Sequence, residues 1–296
     1  PPPALRHLDA ALQELAAHHR LRERFAVPAH GVPSFCSNDY LGLAADAALP
    51  TAAGAGASRL VGGDAPEHLA LEAALASWLR TEACLTFTSG YAANVGTVAC
   101  LAQREDLIVS DALNHASLID GARLSRASVV VVPHGDVDAV RQALRQRSSK
   151  RAWVLTESYF SMDADGPDLA ALRAVCDETE AALLVDEAHA LGLFGPEGRG
   201  LCAAAGITPD VLVGTLGKAF GGAGAFVAGC EALVVWLWNR ARSFVFSTGI
   251  SPALTATALA HLDRIRRDAT RAAGVAERAS QLRAGLRDLG LEPMGF

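Results

Sequence analysis

Short runs that are apolar throughout recur along the middle of the chain, at residues 107–109, 129–132, 153–155, 182–185, 211–213 and 225–228. Between them, residues 114–125, 136–146 and 168–179 carry apolar positions at helical spacing. Strands that are apolar on both faces and separated by helices predict an α/β fold, a mostly parallel sheet covered on both sides. The stretch 5–25 reads as an amphipathic helix ended by the prolines of 28–33. Pro66 opens a helix over 67–80, after a Gly/Ala-rich loop at 54–63. Residues 252–289 predict one long helix with Arg-rich exposed faces.

A sheet of this kind binds ligands beyond the carboxyl ends of its strands. Polar residues gather there: Asp111 and His115, Glu157 and Ser161, Asp186 and His189, Thr215 and Lys218. Composition sharpens one of them. The chain holds two lysines, Lys150 and Lys218, against 24 arginines. Lysine offers what arginine cannot, a primary amine that loses its proton when desolvated and then attacks a carbonyl. Lys218 follows an apolar run and is flanked by glycines, so a ligand could approach the backbone closely.

The remaining bulk properties exclude more than they identify. With 296 residues, 51% of them apolar, the chain can bury one large core or a large and a small one. A net charge of −6 argues against a nucleic-acid partner, and a solvated helix face accounts for the five cations of 141–151. The six cysteines form no Cys-x-x-Cys pair and read as small core residues in a reducing compartment, not as disulfides or zinc ligands. No charge-free apolar stretch reaches membrane-spanning length, so the expectation is a cytoplasmic protein without a membrane partner.

Three motifs carry chemistry. Asp186-Glu187-Ala188-His189 closes an apolar run, where a carboxylate can keep a heterocycle nitrogen protonated and His189 can reach an oxygen on the same ring. The same four letters occur in nucleotide hydrolases, but those need an upstream Gly-x-x-x-x-Gly-Lys-Ser/Thr loop. Here the only Gly-Lys is Gly217-Lys218, which lies downstream and is followed by Ala219. Thr88-Ser89-Gly90-Tyr91 turns into a helix whose first N–H groups, on Gly90 and Tyr91, can cradle a phosphate, although an ordinary N-cap reads the same way. Asn114-His115-Ala116-Ser117 opens another helix, where the imidazole either caps the helix or stacks on a planar ligand.

Together with residues 37–43, 56–61, Glu157, 160–163, 215–218 and 241–244, these motifs run in the order found in the α-oxoamine synthases, and the chain resembles that family over nearly its whole length. The resemblance implies the aminotransferase-like fold of type I pyridoxal-phosphate enzymes. It divides the chain into an N-terminal helix and linker (1–37), a cofactor-binding large domain (38–250) and the start of a small C-terminal domain (251–296). Because the family chain continues further, the expectation is a piece of a longer protein.

The resemblance also assigns roles. Lys218 would form the Schiff base with pyridoxal 5'-phosphate, Asp186 would pair with the ring nitrogen, and His189 and Ser161 would lie near the ring oxygen. His115 would stack on the ring, Gly90, Tyr91 and Thr215 would hold the phosphate, and Asn38 and Arg22 would meet the amino acid and the acyl substrate. Residues 56–68 resemble the branch that joins L-alanine to a pimeloyl thioester, on coenzyme A or an acyl carrier protein, to give 8-amino-7-oxononanoate for biotin synthesis. Two alternatives stand beside it: a sibling acyltransferase using glycine or serine, and a catalytically silent partner subunit. The family further implies a homodimer, with the loop around Gly56 a candidate for crossing to the partner.

Overall fold

The apolar runs pair into one seven-stranded sheet in a computed structural model that describes residues 2–22 and 52–295. The strands are β1 (Ala83–Phe87), β2 (Leu107–Asp111), β3 (Ser128–Val132), β4 (Ala152–Glu157), β5 (Ala182–Asp186), β6 (Val211–Thr215) and β7 (Ala225–Gly229). Their order is β1-β7-β6-β5-β4-β2-β3, and β7 alone runs antiparallel to its neighbours. The expected mostly parallel sheet is present. β1 was legible only as the apolar lead-in to residue 88.

Register divides each strand between two covers. Trp153, Leu155, Leu184, Val213 and Val227 pack with α1 (His7–Ala17), α3 (Gly90–Leu101), α4 (Ala116–Ser125) and α8 (Glu231–Arg240). Val154, Leu183 and Val185 face α5 (Val137–Arg145) and α6 (Leu169–Thr179). On that same side Leu212, Phe226 and Ala228 meet α2 (Pro66–Leu79) and α10 (Pro252–Arg267). The remaining helices are α7 (Gly200–Ala204), α9 (Arg242–Val245) and α11 (Thr270–Asp288).

Two expectations need correction, and one helix went unread. The first helix stops at Ala17, because His19 takes φ +52° and the N–H groups of Arg20 and Leu21 fold back onto the Leu15 carbonyl at 2.8 and 3.1 Å. The prolines of 28–33, and Asn38, lie outside the described residues. The long helix of 252–289 is two helices. Asp268 leaves the helical region (φ −125°, ψ 81°), and its Oδ1 accepts the Thr270 N–H at 3.1 Å, a side-chain bond that competes with helix continuation. The stretch 231–240 was not read as a helix at all. Its Leu-Val-Val-Trp-Leu-Trp core has no polar face to reveal the period, and most of it is buried.

The cations of 141–151 are largely tied to neighbours: Arg141 to Asp138, Arg145 to Glu178, Arg151 to Asp106, and Arg147 to the Thr179 carbonyl. The Gly/Ala-rich loop is pinned within its own chain. Ser58 Oγ donates to the Val245 carbonyl at 2.8 Å, and the Gly249 N–H donates to Ala57 at 2.9 Å. At its centre Arg59 is 2% exposed, bonded to Asp64 (2.7 Å), Glu72 (2.6 Å) and Thr86 (2.9 Å), under the rings of Trp238 and Phe244.

Candidate active site

Glu157, Asp186 and Thr215 each stand two positions beyond a residue that faces α3 and α4, so the pleat sends all three to that same side at the strands' carboxyl ends. Glu157 and Asp186 are paired across β4 and β5. Above them, α3 and α4 begin. The two helices approach closely because Gly121 has no side chain: a Cβ there would lie 2.8 Å from that of Val98 and 3.2 Å from the Asn94 carbonyl.

Lys218 sits in the loop between β6 and β7. Leu216 N–H bonds to Gly224 O at 2.9 Å, and Gly222 N–H bonds to Leu216 O at 2.8 Å, closing a tight turn. Gly224 takes φ +99°, and a Cβ there would strike Ile250 at 2.3 Å, so only glycine fits. The Lys218 residue as a whole is exposed, but its Nζ ends 2.6 Å from His189 Nε2. Burial lowers the Lys218 pKa, with Asp186 and Glu157 acting the other way. The His189 pKa is lowered too, by burial first and then by Lys218. Both shifts favour neutral nitrogen at the point where a carbonyl would be attacked.

Asp186 is 6% exposed and accepts from the Ala188 N–H at 2.9 Å and from Asn94 Nδ2 at 2.7 Å. Glu157 accepts the His115 N–H at 2.7 Å. Burial and then the adjacent Asp186 push its pKa up to about 7, against the His115 N–H and Lys218. The next residue, Glu187, is structural: fully buried, it accepts the Leu201 and Cys202 N–H groups at 2.9 and 2.6 Å and anchors α7.

Ser89 caps α3 by accepting the Ala92 N–H at 3.1 Å, which leaves the Gly90 and Tyr91 N–H groups at the helix entrance. A Cβ on Gly90 would stand 4.0 Å from Thr215 Oγ1, so the helix start and the end of β6 meet. Thr215 Oγ1 also accepts the Gly217 N–H at 3.2 Å. Tyr91 itself is half exposed, its hydroxyl on Asp120 at 2.8 Å. His115 caps α4 through Nδ1, so the capping reading is realised in a residue that also borders the cluster.

The structure therefore gathers Lys218, His189, Asp186, His115, Thr215 and the Gly90–Tyr91 turn. It does not bring Ser161 or Arg22 into that hydrogen-bonded cluster. Ser161 stands exposed on the loop after β4. Arg22 bonds to Asn239, its Nη1 2.5 Å from the Asn239 carbonyl, in a groove of about 730 Å³ shared with Arg104, Arg126, Arg240 and Arg242. Sequence reasoning missed two groups. One is Asn94, whose hydrogen bond to Asp186 spans 92 positions. The other is His134, which bridges Asp111 and Asp165 at 3.0 Å each with its ring against Phe160, tying the end of β2 to the loops after β3 and β4.

Burial works to lower the His134 pKa, but the bonds to Asp111 and Asp165 outweigh it and the net shift is upward from 6.5. A raised histidine pKa adds stability that is complete below 6.5 and is lost as pH rises through the folded value. The stability difference between wild type and His134→Ala, measured by urea unfolding, is therefore expected to shrink as pH rises from below 6.5 to well above it. A pH-independent difference would show that His134 contributes through packing alone.

A lysine amine near an anchored carboxylate and a helix entrance, on this strand order, suits a cofactor-dependent enzyme of the aminotransferase type. The chain belongs to the class I and II aminotransferase family, whose model matches residues 31–295. More narrowly, it is similar to the 8-amino-7-oxononanoate synthase of Anaeromyxobacter sp. (strain K), at 47% identity over 270 residues that cover 88% of this chain and 68% of that one. Among solved structures, a serine palmitoyltransferase from S. paucimobilis with a bound PLP–myriocin aldimine is 27% identical with a TM-score of 0.79, over 97% of this chain and 78% of that one. The 8-amino-7-oxononanoate synthase of Francisella tularensis is 27% identical with a TM-score of 0.69, over 88% of this chain and 77% of that one. The resemblance to the α-oxoamine synthases holds.

Proposed function

We propose that this chain uses pyridoxal 5'-phosphate to condense L-alanine with a pimeloyl thioester, releasing carbon dioxide and the thiol and giving 8-amino-7-oxononanoate. The observation that carries the reading is the 2.6 Å approach of Lys218 Nζ to His189 Nε2, above a carboxylate anchored by two donors. The residues present fit the cofactor: an amine for its aldehyde, a buried acceptor for its ring nitrogen, and helix-entrance N–H groups, unpaired among the described residues, beside a hydroxyl for its phosphate. Bound there, pyridoxal phosphate supplies an electron sink for the pair left when a bond to Cα breaks.

The protein's own groups do the rest. Gly90, Tyr91 and Thr215 are the proposed phosphate holders, with Ser161 and His189 toward the ring oxygen. Asp186 keeps a proton on the ring nitrogen, and its two donors hold the carboxylate in place. Lys218 Nζ, its pKa lowered by burial, takes the Cα proton as a neutral amine. His115, at the entrance of α4, faces the same space. Asn38, outside the described residues, and Arg22 are the proposed substrate contacts. A homodimer in the cytoplasm belongs to the same reading; among the described residues no helix is long and apolar enough to cross a membrane.

The cofactor residues serve a glycine or serine acyltransferase equally well. What supports L-alanine and pimeloate is the 42–47% identity to several 8-amino-7-oxononanoate synthases over most of the chain. With pyridoxal phosphate and a pimeloyl thioester present, L-alanine is expected to drive thiol release, and glycine and L-serine to do so far more slowly. Thiol release with glycine alone would reject the alanine reading.

A further inference from the structure

Asn94, on the second turn of α3, is 1% exposed, and its Nδ2 makes two contacts: Asp186 Oδ2 at 2.7 Å and Ser117 Oγ at 2.9 Å. An ionised carboxylate can only accept, so the group facing Asp186 is the NH₂. This orientation leaves Oδ1 buried without a partner among the described residues. Turning the amide over would offer Oδ1 a donor from Ser117 but would set it against the carboxylate. The orientation is therefore dictated by Asp186.

The direction of the next bonds follows. Ser117 Oγ accepts from Asn94, so its own proton is free to donate, and His115 Nδ1 lies 2.7 Å away. The Ser117 backbone N–H points to the same nitrogen at 3.3 Å. With two donors converging on it, Nδ1 is an acceptor, and in the neutral ring the proton belongs to Nε2. The run is continuous, and donation diverges from Asn94: its NH₂ donates to the Asp186 carboxylate on one side and to the Ser117 hydroxyl on the other, which donates in turn to the His115 imidazole. Burial of Asn94 and Ser117 keeps water from supplying alternative partners.

We infer that Asn94 and Ser117 are positioning residues that couple Asp186 to His115 and lock the His115 ring as its Nε2–H tautomer. This rests on the reading of Asp186 and His115 as the residues at the ring nitrogen and the ring face. Its chemical consequence is specific. A neutral His115 offers the reaction a fixed hydrogen-bond donor at Nε2, suited to an oxygen that gains negative charge during acyl transfer, and cannot take a proton there. The base is then Lys218. Close packing of α3 on α4 at Gly121 is what brings the two halves of the relay into contact.

Nitrogen-15 spectra of histidine-labelled protein read the tautomer directly, with and without pyridoxal phosphate, against His115→Gln to assign the signal. The wild type is expected to show Nε2–H at His115. Ser117→Ala is expected to populate the Nδ1–H form, and Ser117→Thr, which keeps the hydroxyl, to restore the wild-type pattern. Asn94→Ala is expected to disturb the same signal and to weaken pyridoxal phosphate binding about tenfold, as loss of a hydrogen bond to a charged group does. An Nδ1–H wild type, or a Ser117→Ala spectrum identical to wild type, would overturn the inference. Since the tautomer is also read without cofactor, a chain that binds no pyridoxal phosphate would refute the proposed function separately.

Discussion

Replacing Lys218 by alanine is expected to lower turnover at least about a thousandfold and to remove the visible absorption of the cofactor-loaded protein. Two functions are lost together, the covalent hold on the cofactor aldehyde and the amine that takes the Cα proton. Arginine in its place should not rescue either, since a guanidinium stays charged and cannot form the imine. Lys150, in the solvent-facing stretch before β4, is the natural control: Lys150→Ala should leave both readouts unchanged. Comparable turnover by Lys218→Ala and wild type would place the chemistry elsewhere.

The second large effect is on stability. Arg59→Ala is expected to cost about 3–5 kcal/mol, because it leaves Asp64 and Glu72 as buried carboxylates without their cation. Glu72 also accepts the Thr86 N–H at 2.6 Å, so the disturbance reaches β1 and the Ser89–Gly90 turn that follows it. Urea unfolding of the variant checks this, and a loss below about 1 kcal/mol would mean that the carboxylates are relieved by protonation or water. A double variant that also replaces Glu72 by glutamine should recover part of the loss, since one stranded charge is then removed.

Particular residues show how far the sequence could be read. β2 and β4 to β7 were legible because both faces of a covered sheet are apolar, and a run such as Val211–Val213 needs no period to be recognised. Lys218 was legible because lysine is so rare in this chain. The same logic concealed α8, where burial on most sides removed the polar face that marks a helix. It could not foresee the break at Asp268, which depends on one side chain accepting the backbone N–H two residues on. Asn94 and His134 were beyond reach for another reason. Each acts through partners contributed by other elements, and no local spacing records that Gly121 lets α3 approach α4 or that Asp111 and Asp165 converge on one ring.

The most direct test of the account reduces the protein, loaded with pyridoxal phosphate, with borohydride and maps the modified peptide by mass spectrometry. With only two lysines in the chain, the outcome is unambiguous. A single pyridoxyl group on Lys218 is the expected result. Label on Lys150 instead, or a chain that carries no label after loading, would contradict the placement of the cofactor and the function built on it.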